Sequence, residues 1–262
     1  MSEAPRALFE AHGPVGVLRL NDPQALNAMS IPMAEAMDAA LDRAFTESRA
    51  LILAGAGRAF CAGAKLAGGP IPVDAAGKPD MGAALETHIN PLLNRLRTSP
   101  IPWISAVRGP AAGVGCSLAL AADLVIASET AAFIQAFSRV GLAPDGGASW
   151  LLSRAIGRPR AMEMMLLGES IGGAKALEWG LINRLTSDAE LDDAAMALAV
   201  RLAEGPASLA IIRQAAWHGA DANWDAALTF ERDGQRRAGQ TADHVEGVAA
   251  FLEKRPARFT GT

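Results

Sequence analysis

Ala50-Leu51-Ile52-Leu53-Ala54 carries no polar side chain on either parity, and a strand of that kind belongs in a sheet covered on both faces. It follows a stretch in which Met33, Met37, Ala40, Leu41, Ala44 and Phe45 recur at helical spacing through Thr46, behind a capping Ser30. Before that, Val15 to Leu20 reads as a strand closed by the turn chemistry of Asn21-Asp22-Pro23. Strand, helix and buried strand make a crossover unit. The pattern repeats with a helix around 85–97, a strand over 103–107, a helix over about 114–122 and a strand over 124–127. The chain is therefore expected to be α/β.

Beyond Ala148 the strand signal fades to Leu181–Leu185, among helical stretches at 159–168, 173–179, 188–204, 206–218, 222–238 and 241–254. We divide the chain into a core over 1–195 and a helical C-terminal region over 196–262, the latter suited to oligomer contacts. The segment between Leu66 and Gly82 holds three prolines and three glycines without periodicity and is expected to be a loop beside a site.

Composition removes several functions. Twenty-four Lys and Arg stand against 28 Asp and Glu, a net charge of −4 that does not favour nucleic acid. Cys61 and Cys116 form neither a disulfide framework nor a metal-ligand spacing, and His12, His88, His218 and His244 are scattered. The N-terminus lacks the basic and apolar regions of a signal peptide, and the longest low-charge run, Gly109 to Ala122, is too short to span a membrane. The expectation is a cytoplasmic protein with no membrane anchor and no metal. Gly55-Ala56-Gly57 meets Phe60 where a dinucleotide fingerprint needs a third glycine.

Two glycine-bearing turns remain, Arg58–Leu66 and Arg108–Ser117, each after a strand, where open α/β sheets bind ligands. The second runs into a helix start whose first N–H groups lack intrahelical partners. Together the two turns can offer two backbone donors to one oxygen.

ALNAMS at 25–30, RAFCAGAKL at 58–66, RGPAAGVGCSLALAADLVIAS at 108–128 and EGVAAFLEKRPARF at 246–259 resemble the enoyl-CoA hydratase/isomerase (crotonase) superfamily. Segments 89–96, 136–164, 178–185 and 231–252 are most similar to its ring-1,2-epoxyphenylacetyl-CoA isomerases, which serve phenylacetate catabolism. The resemblance implies a ββα spiral core, trimers or dimers of trimers, and an acyl-CoA substrate whose coenzyme A is part of the substrate rather than a separate cofactor.

Position by position, it implies an oxyanion hole from the N–H groups of Ala64 and Val114, although Val stands where glycine is usual. At the two glutamate positions of the family's hydratases this chain has Ser117 and Phe137, neither able to do acid–base work near neutral pH. Asp145 occupies a position that is acidic in several of the family's isomerases and is the candidate proton shuttle, or else a helix-capping turn residue. Val114, Phe137, Leu142 and Trp150 are expected around it. Coenzyme A is expected along Ala25, Leu26, Ala28, Ala62, Lys65 and Leu66, with Phe251 and Lys254 reaching a neighbouring subunit's ligand. Glu86 and His88 read as a solvated helix face. The activity implied is an acyl-CoA isomerase moving a double bond or rearranging an epoxide; the alternatives are an enoyl-CoA hydratase and a non-catalytic acyl-CoA binder.

Overall fold

A computed structural model describes residues 4–65 and 72–262. Strands β1 (Ala7–His12) and β2 (Val15–Leu20) form a hairpin, and α1 (Ile31–Glu47) crosses to β3 (Ala50–Gly55). A π-helical turn, Leu85–Ile89, opens α2 (Asn90–Arg97), which leads to β4 (Trp103–Val107), β5 (Pro110–Ala112), α3 (Val114–Leu120) and β6 (Leu124–Ser128). Then come β7 (Ala132–Ile134), a 3-10 turn over Ala136–Val140, α4 (Ala148–Ala155), α5 (Gly157–Leu167), β8 (Ser170–Gly172), α6 (Gly173–Glu178) and β9 (Arg184–Thr186). Helices α7 (Leu191–Ala203), α8 (Ser208–Asp221), α9 (Trp224–Ala238) and α10 (Ala242–Glu253) complete the chain.

The main sheet runs β1-β2-β3-β4-β6-β9, parallel except for β1, and a small second sheet runs β5-β7-β8. Its central strands are covered as the apolar run at 50–54 requires. Leu18, Leu20, Leu51 and Leu53 face a core shared with Met33, Met37 and Leu41 of α1 and Leu92 and Leu96 of α2. Val15, Val17, Ala50, Ile52 and Ala54 face Leu191, Ala195, Leu198, Ala199 and Ala203 of α7. A division of the chain at 195 therefore passes through α7, whose second half packs on the sheet with its first. Ser30 caps α1, its Oγ accepting from Met33 N at 3.3 Å. The strand expected at 181–185 begins later, at Arg184, and β1 is a strand that hydrophobic patterning did not announce.

Arg213 of α8 ties the C-terminal helices to this core. Its buried guanidinium donates through Nε to both oxygens of Asp123 (3.0 and 2.9 Å), and through Nη1 and Nη2 to the carbonyls of Arg97, Ser99 and Leu96. Asp123 in turn accepts from Trp103 N at 2.9 Å, so one ion pair joins α8, the end of α2 and the start of β4. Among the described residues no single helix is long and apolar enough to cross a membrane; α7 and α8 pass that test only as a pair bent by 104°.

Candidate active site

Three loops are stitched edge to edge at one end of the main sheet. The first, 25–29, joins the second, 58–65, through Ala62 N donating to Leu26 O (3.0 Å), Met29 N to Gly63 O (2.7 Å) and Lys65 N to Met29 O (2.8 Å). In such a bridge Ala64 lies opposite Met29 with its own N–H turned away from it. The second loop joins the third through Phe60 N and Cys61 N donating to Pro110 O (both 3.1 Å) and Ala112 N to Cys61 O (2.9 Å). Gly63 packs directly on this third loop: a Cβ there would lie 3.0 Å from Ala112 O.

The chain enters α3 through Gly113, whose φ of 51° a side chain would strain. That placement answers the question Val114 raised. The left-handed residue is Gly113, Val114 is the first helical residue, and its side chain is buried in the core. Bonds to Gly113 O begin only at Cys116 N (3.0 Å) and Ser117 N (3.1 Å), so the N–H of Val114 lies ahead of the helical ladder. Ala64 and Val114 thus present main-chain donors from two touching turns. Cys61 and Cys116 flank them, both buried, and burial pushes their thiols up to about 11 and about 12.

Asp145 sits on the turn before α4. Its side chain does not cap that helix: the cap position is Gly147, without a side-chain bond, and Ala148 N donates to the main-chain oxygen of Asp145 instead (3.0 Å). Its Oδ1 is buried without a hydrogen-bond partner, and this desolvation lifts the carboxyl from 3.8 to about 6. Ser117, fully buried on α3, donates from Oγ to the same main-chain oxygen at 2.9 Å. The carboxylate turn is thereby held against the helix that begins at Val114.

The expected lining is only partly assembled. Phe137 is buried beside Gly113, where a Cβ would lie 3.4 Å from its ring, and lies in the 3-10 turn after β7. Leu142 is 38% exposed, at the rim. Trp150 stacks on Trp217 of α8 with ring centroids 5.4 Å apart and donates Nε1 to Asp221 at 2.8 Å, so its ring is engaged by α8. His88 faces Glu35 of α1 at 3.5 Å, as part of a helix surface.

Of the expected coenzyme A contacts, Ala25, Leu26, Ala28, Ala62 and Lys65 are brought together by the stitching above, whereas Leu66 lies outside the described residues. Lys65 Nζ lies 3.5 Å from Asp22 Oδ2, which also pairs with Arg6. Phe251 is 82% exposed near the end of α10 and Lys254 forms its left-handed C-cap; no ion pair links Lys254 to these loops among the described residues. Sequence reasoning missed Asn27. Leu26 and Asn27 both have left-handed backbones (φ 53° and 56°), and the buried Asn27 amide holds them, donating to Ala59 O (2.7 Å) and Ala56 O (2.9 Å) and accepting from Asp22 N (2.9 Å). An Asn just after a Pro-containing turn was the available signal. No cluster of three or more His, Cys, Asp or Glu able to hold a metal occurs among the described residues.

Comparison with known proteins gives the class of protein that this mixed α/β fold belongs to. The family profile described as Enoyl-CoA hydratase/isomerase matches residues 10–262. The chain is 45% identical over 251 residues to 1,2-epoxyphenylacetyl-CoA isomerase of Escherichia coli, covering 94% of this chain and 95% of that one. It is 43% identical over 254 residues, 97% of each chain, to a Rhodobacter capsulatus protein named "Probable enoyl-CoA hydratase". Among solved structures, an enoyl-CoA hydratase subunit I from Geobacillus kaustophilus superposes with a TM-score of 0.90 at 34% identity, covering all of both chains. The chain belongs to the enoyl-CoA hydratase/isomerase family and has the crotonase fold.

Proposed function

We propose that this enzyme isomerises acyl-CoA thioesters, shifting a double bond or rearranging an epoxide through an enolate, with Asp145 as proton shuttle. The observation that carries the reading is the buried, unpartnered Oδ1 of Asp145 on a turn bonded to the helix of Val114. The thioester oxygen is bound by the N–H groups of Ala64 and Val114, which acidifies the α carbon. The Asp145 carboxylate takes the α proton of a 3-enoyl thioester, and the negative charge moves onto the thioester oxygen. The carboxylic acid then returns the proton to the γ carbon, leaving a 2-enoyl thioester with no net gain or loss of atoms. A carboxyl titrating at about 6 is largely ionised at neutral pH yet basic enough to take a proton, the balance general base catalysis favours. Backbone donors aimed at the enolate oxygen typically contribute about 3 kcal/mol each.

Coenzyme A runs along Ala25, Leu26, Ala28, Ala62 and Lys65, with the left-handed Leu26–Asn27 pair orienting the carbonyls that meet the adenine. Phe251 and Lys254, on an exposed helix end, serve the ligand of a neighbouring subunit in a trimer or dimer of trimers. Cytoplasmic location is part of the same proposal.

Hydration is the competing reading, and the hydratase names of several relatives favour it. Against it stand Ser117 and Phe137, neither of which can activate water. The test offers 3-enoyl-CoA, crotonyl-CoA and a ring-epoxide thioester to the parent and to Asp145→Asn. The expected result is isomerisation by the parent only, with acyl-CoA binding kept by the variant. Full turnover by Asp145→Asn refutes the assignment.

A further inference from the structure

The hydroxyl of Ser117 has a second task besides filling α3. We propose that Ser117 is a positioning residue that locks the Asp145 turn onto the oxyanion helix, and that its contact with Gly146 leaves no room for a glutamate at 117. The inference rests on the reading of Asp145 given above.

Three observations carry it. Ser117 Oγ donates to Asp145 O at 2.9 Å, and its other carbonyl neighbour, Gly113 O at 3.4 Å, is the residue immediately before Val114. One side chain therefore lies between the turn that bears the carboxylate and the turn that bears an oxyanion donor. Next, Gly146 (φ 59°) is pressed onto Ser117 so closely that a Cβ at 146 would lie 2.8 Å from Ser117 Cβ and 3.3 Å from Leu93 Cδ1. The Asp145 turn thus fills the space above α3, with α2 behind it. Finally, Ser117 is fully buried, so a longer side chain at 117 has no outward route.

The consequence is a mutual exclusion. A glutamate at 117 would extend into the volume that Asp145 and Gly146 occupy. Such a chain cannot keep the Asp145 turn in this geometry with a glutamate at 117. The small hydroxyl is what permits the turn to sit down, and its hydrogen bond fixes where the carboxylate stands relative to the oxygen held by Ala64 and Val114. Proton transfer depends steeply on that distance, whereas coenzyme A contacts made by the 25–29 and 58–65 loops do not involve it.

The test compares the full-length parent with Ser117→Ala, Ser117→Glu and Asp145→Asn. Measurements are kcat and KM for 3-enoyl-CoA isomerisation, the affinity for a saturated acyl-CoA by titration calorimetry, and Tm. For Ser117→Ala the expected result is a fall of about tenfold or more in kcat, with KM, acyl-CoA affinity and Tm close to the parent's. A purely structural hydroxyl would instead lower Tm and leave kcat intact well below the melting range, and that outcome overturns the proposal. For Ser117→Glu, loss of isomerisation with no hydration of crotonyl-CoA is expected, acyl-CoA affinity reporting that the protein is folded. A Ser117→Glu protein that hydrates crotonyl-CoA while isomerising at the parent rate overturns the exclusion. If Asp145→Asn keeps full turnover, the earlier reading of Asp145 fails; if it is inactive while Ser117→Ala keeps the parent kcat, only the positioning role fails.

Discussion

Replacing Asp145 with Asn preserves the shape of the side chain and removes its charge, and the structure sets what this should do to stability as a function of pH. Burial raises the carboxyl from 3.8 to about 6. The folded state therefore holds the proton more tightly than the unfolded chain does, and the ionised carboxylate opposes folding. Taken at face value the shift corresponds to about 3 kcal/mol. Asp145 as a whole is partly buried, and solvent screening brings the expectation to about 1–2 kcal/mol. The penalty is complete above about pH 6, shrinks between 6 and 3.8, and vanishes below 3.8. Asp145→Asn should accordingly be more stable than the parent by about 1–2 kcal/mol at mildly alkaline pH, and this gain should decline as pH falls through 6. Urea unfolding followed by circular dichroism, at fixed protein concentration over a series of pH values, measures it. A gain that is absent, or of equal size at every pH, refutes the reasoning that Asp145 is held desolvated and unpartnered.

Arg213→Met should cost about 3–5 kcal/mol, because Asp123 loses its cation in a largely buried setting and the carbonyls of Leu96, Arg97 and Ser99 lose their donor; thermal melting checks it, and a Tm near the parent's counts against the anchoring role of α8. Asn27→Ala leaves Ala56 O, Ala59 O and Asp22 N without their partner and should cost about 2 kcal/mol while raising KM for the acyl-CoA more than it lowers kcat. Steady-state kinetics with a soluble acyl-CoA substrate distinguishes that from a general loss of fold.

How much of this was legible beforehand depends on whether a residue's setting is local. The run 50–54 announces its two-sided cover because every side chain in it is apolar, and Ser30 announces the start of α1 because a cap acts three residues away. Ala64 and Asp145 were proposed through the resemblance of their turns. β1 escaped because an edge strand, half exposed, shows no clean alternation in Ala-Leu-Phe-Glu-Ala-His. The contacts of Trp150 could not be read because they are made with Trp217 and Asp221, which arrive more than 60 residues later. The tolerance of Val114 could not be read either, since it depends on which of two adjacent residues takes the left-handed backbone. The link from Ser117 to Asp145 spans 28 positions and leaves no periodic trace.

The two cysteines bear on the chemistry in a way that their inertness obscures. Enoyl thioesters and epoxides are both electrophiles that thiolates attack, and Cys61 and Cys116 stand on the very turns that would hold such a molecule. Both are buried, and burial keeps them as neutral thiols well above neutral pH, which disfavours the thiolate that alkylation needs. Main-chain N–H groups are not nucleophiles, so with both thiols buried the Asp145 carboxylate is the group such a cargo would meet.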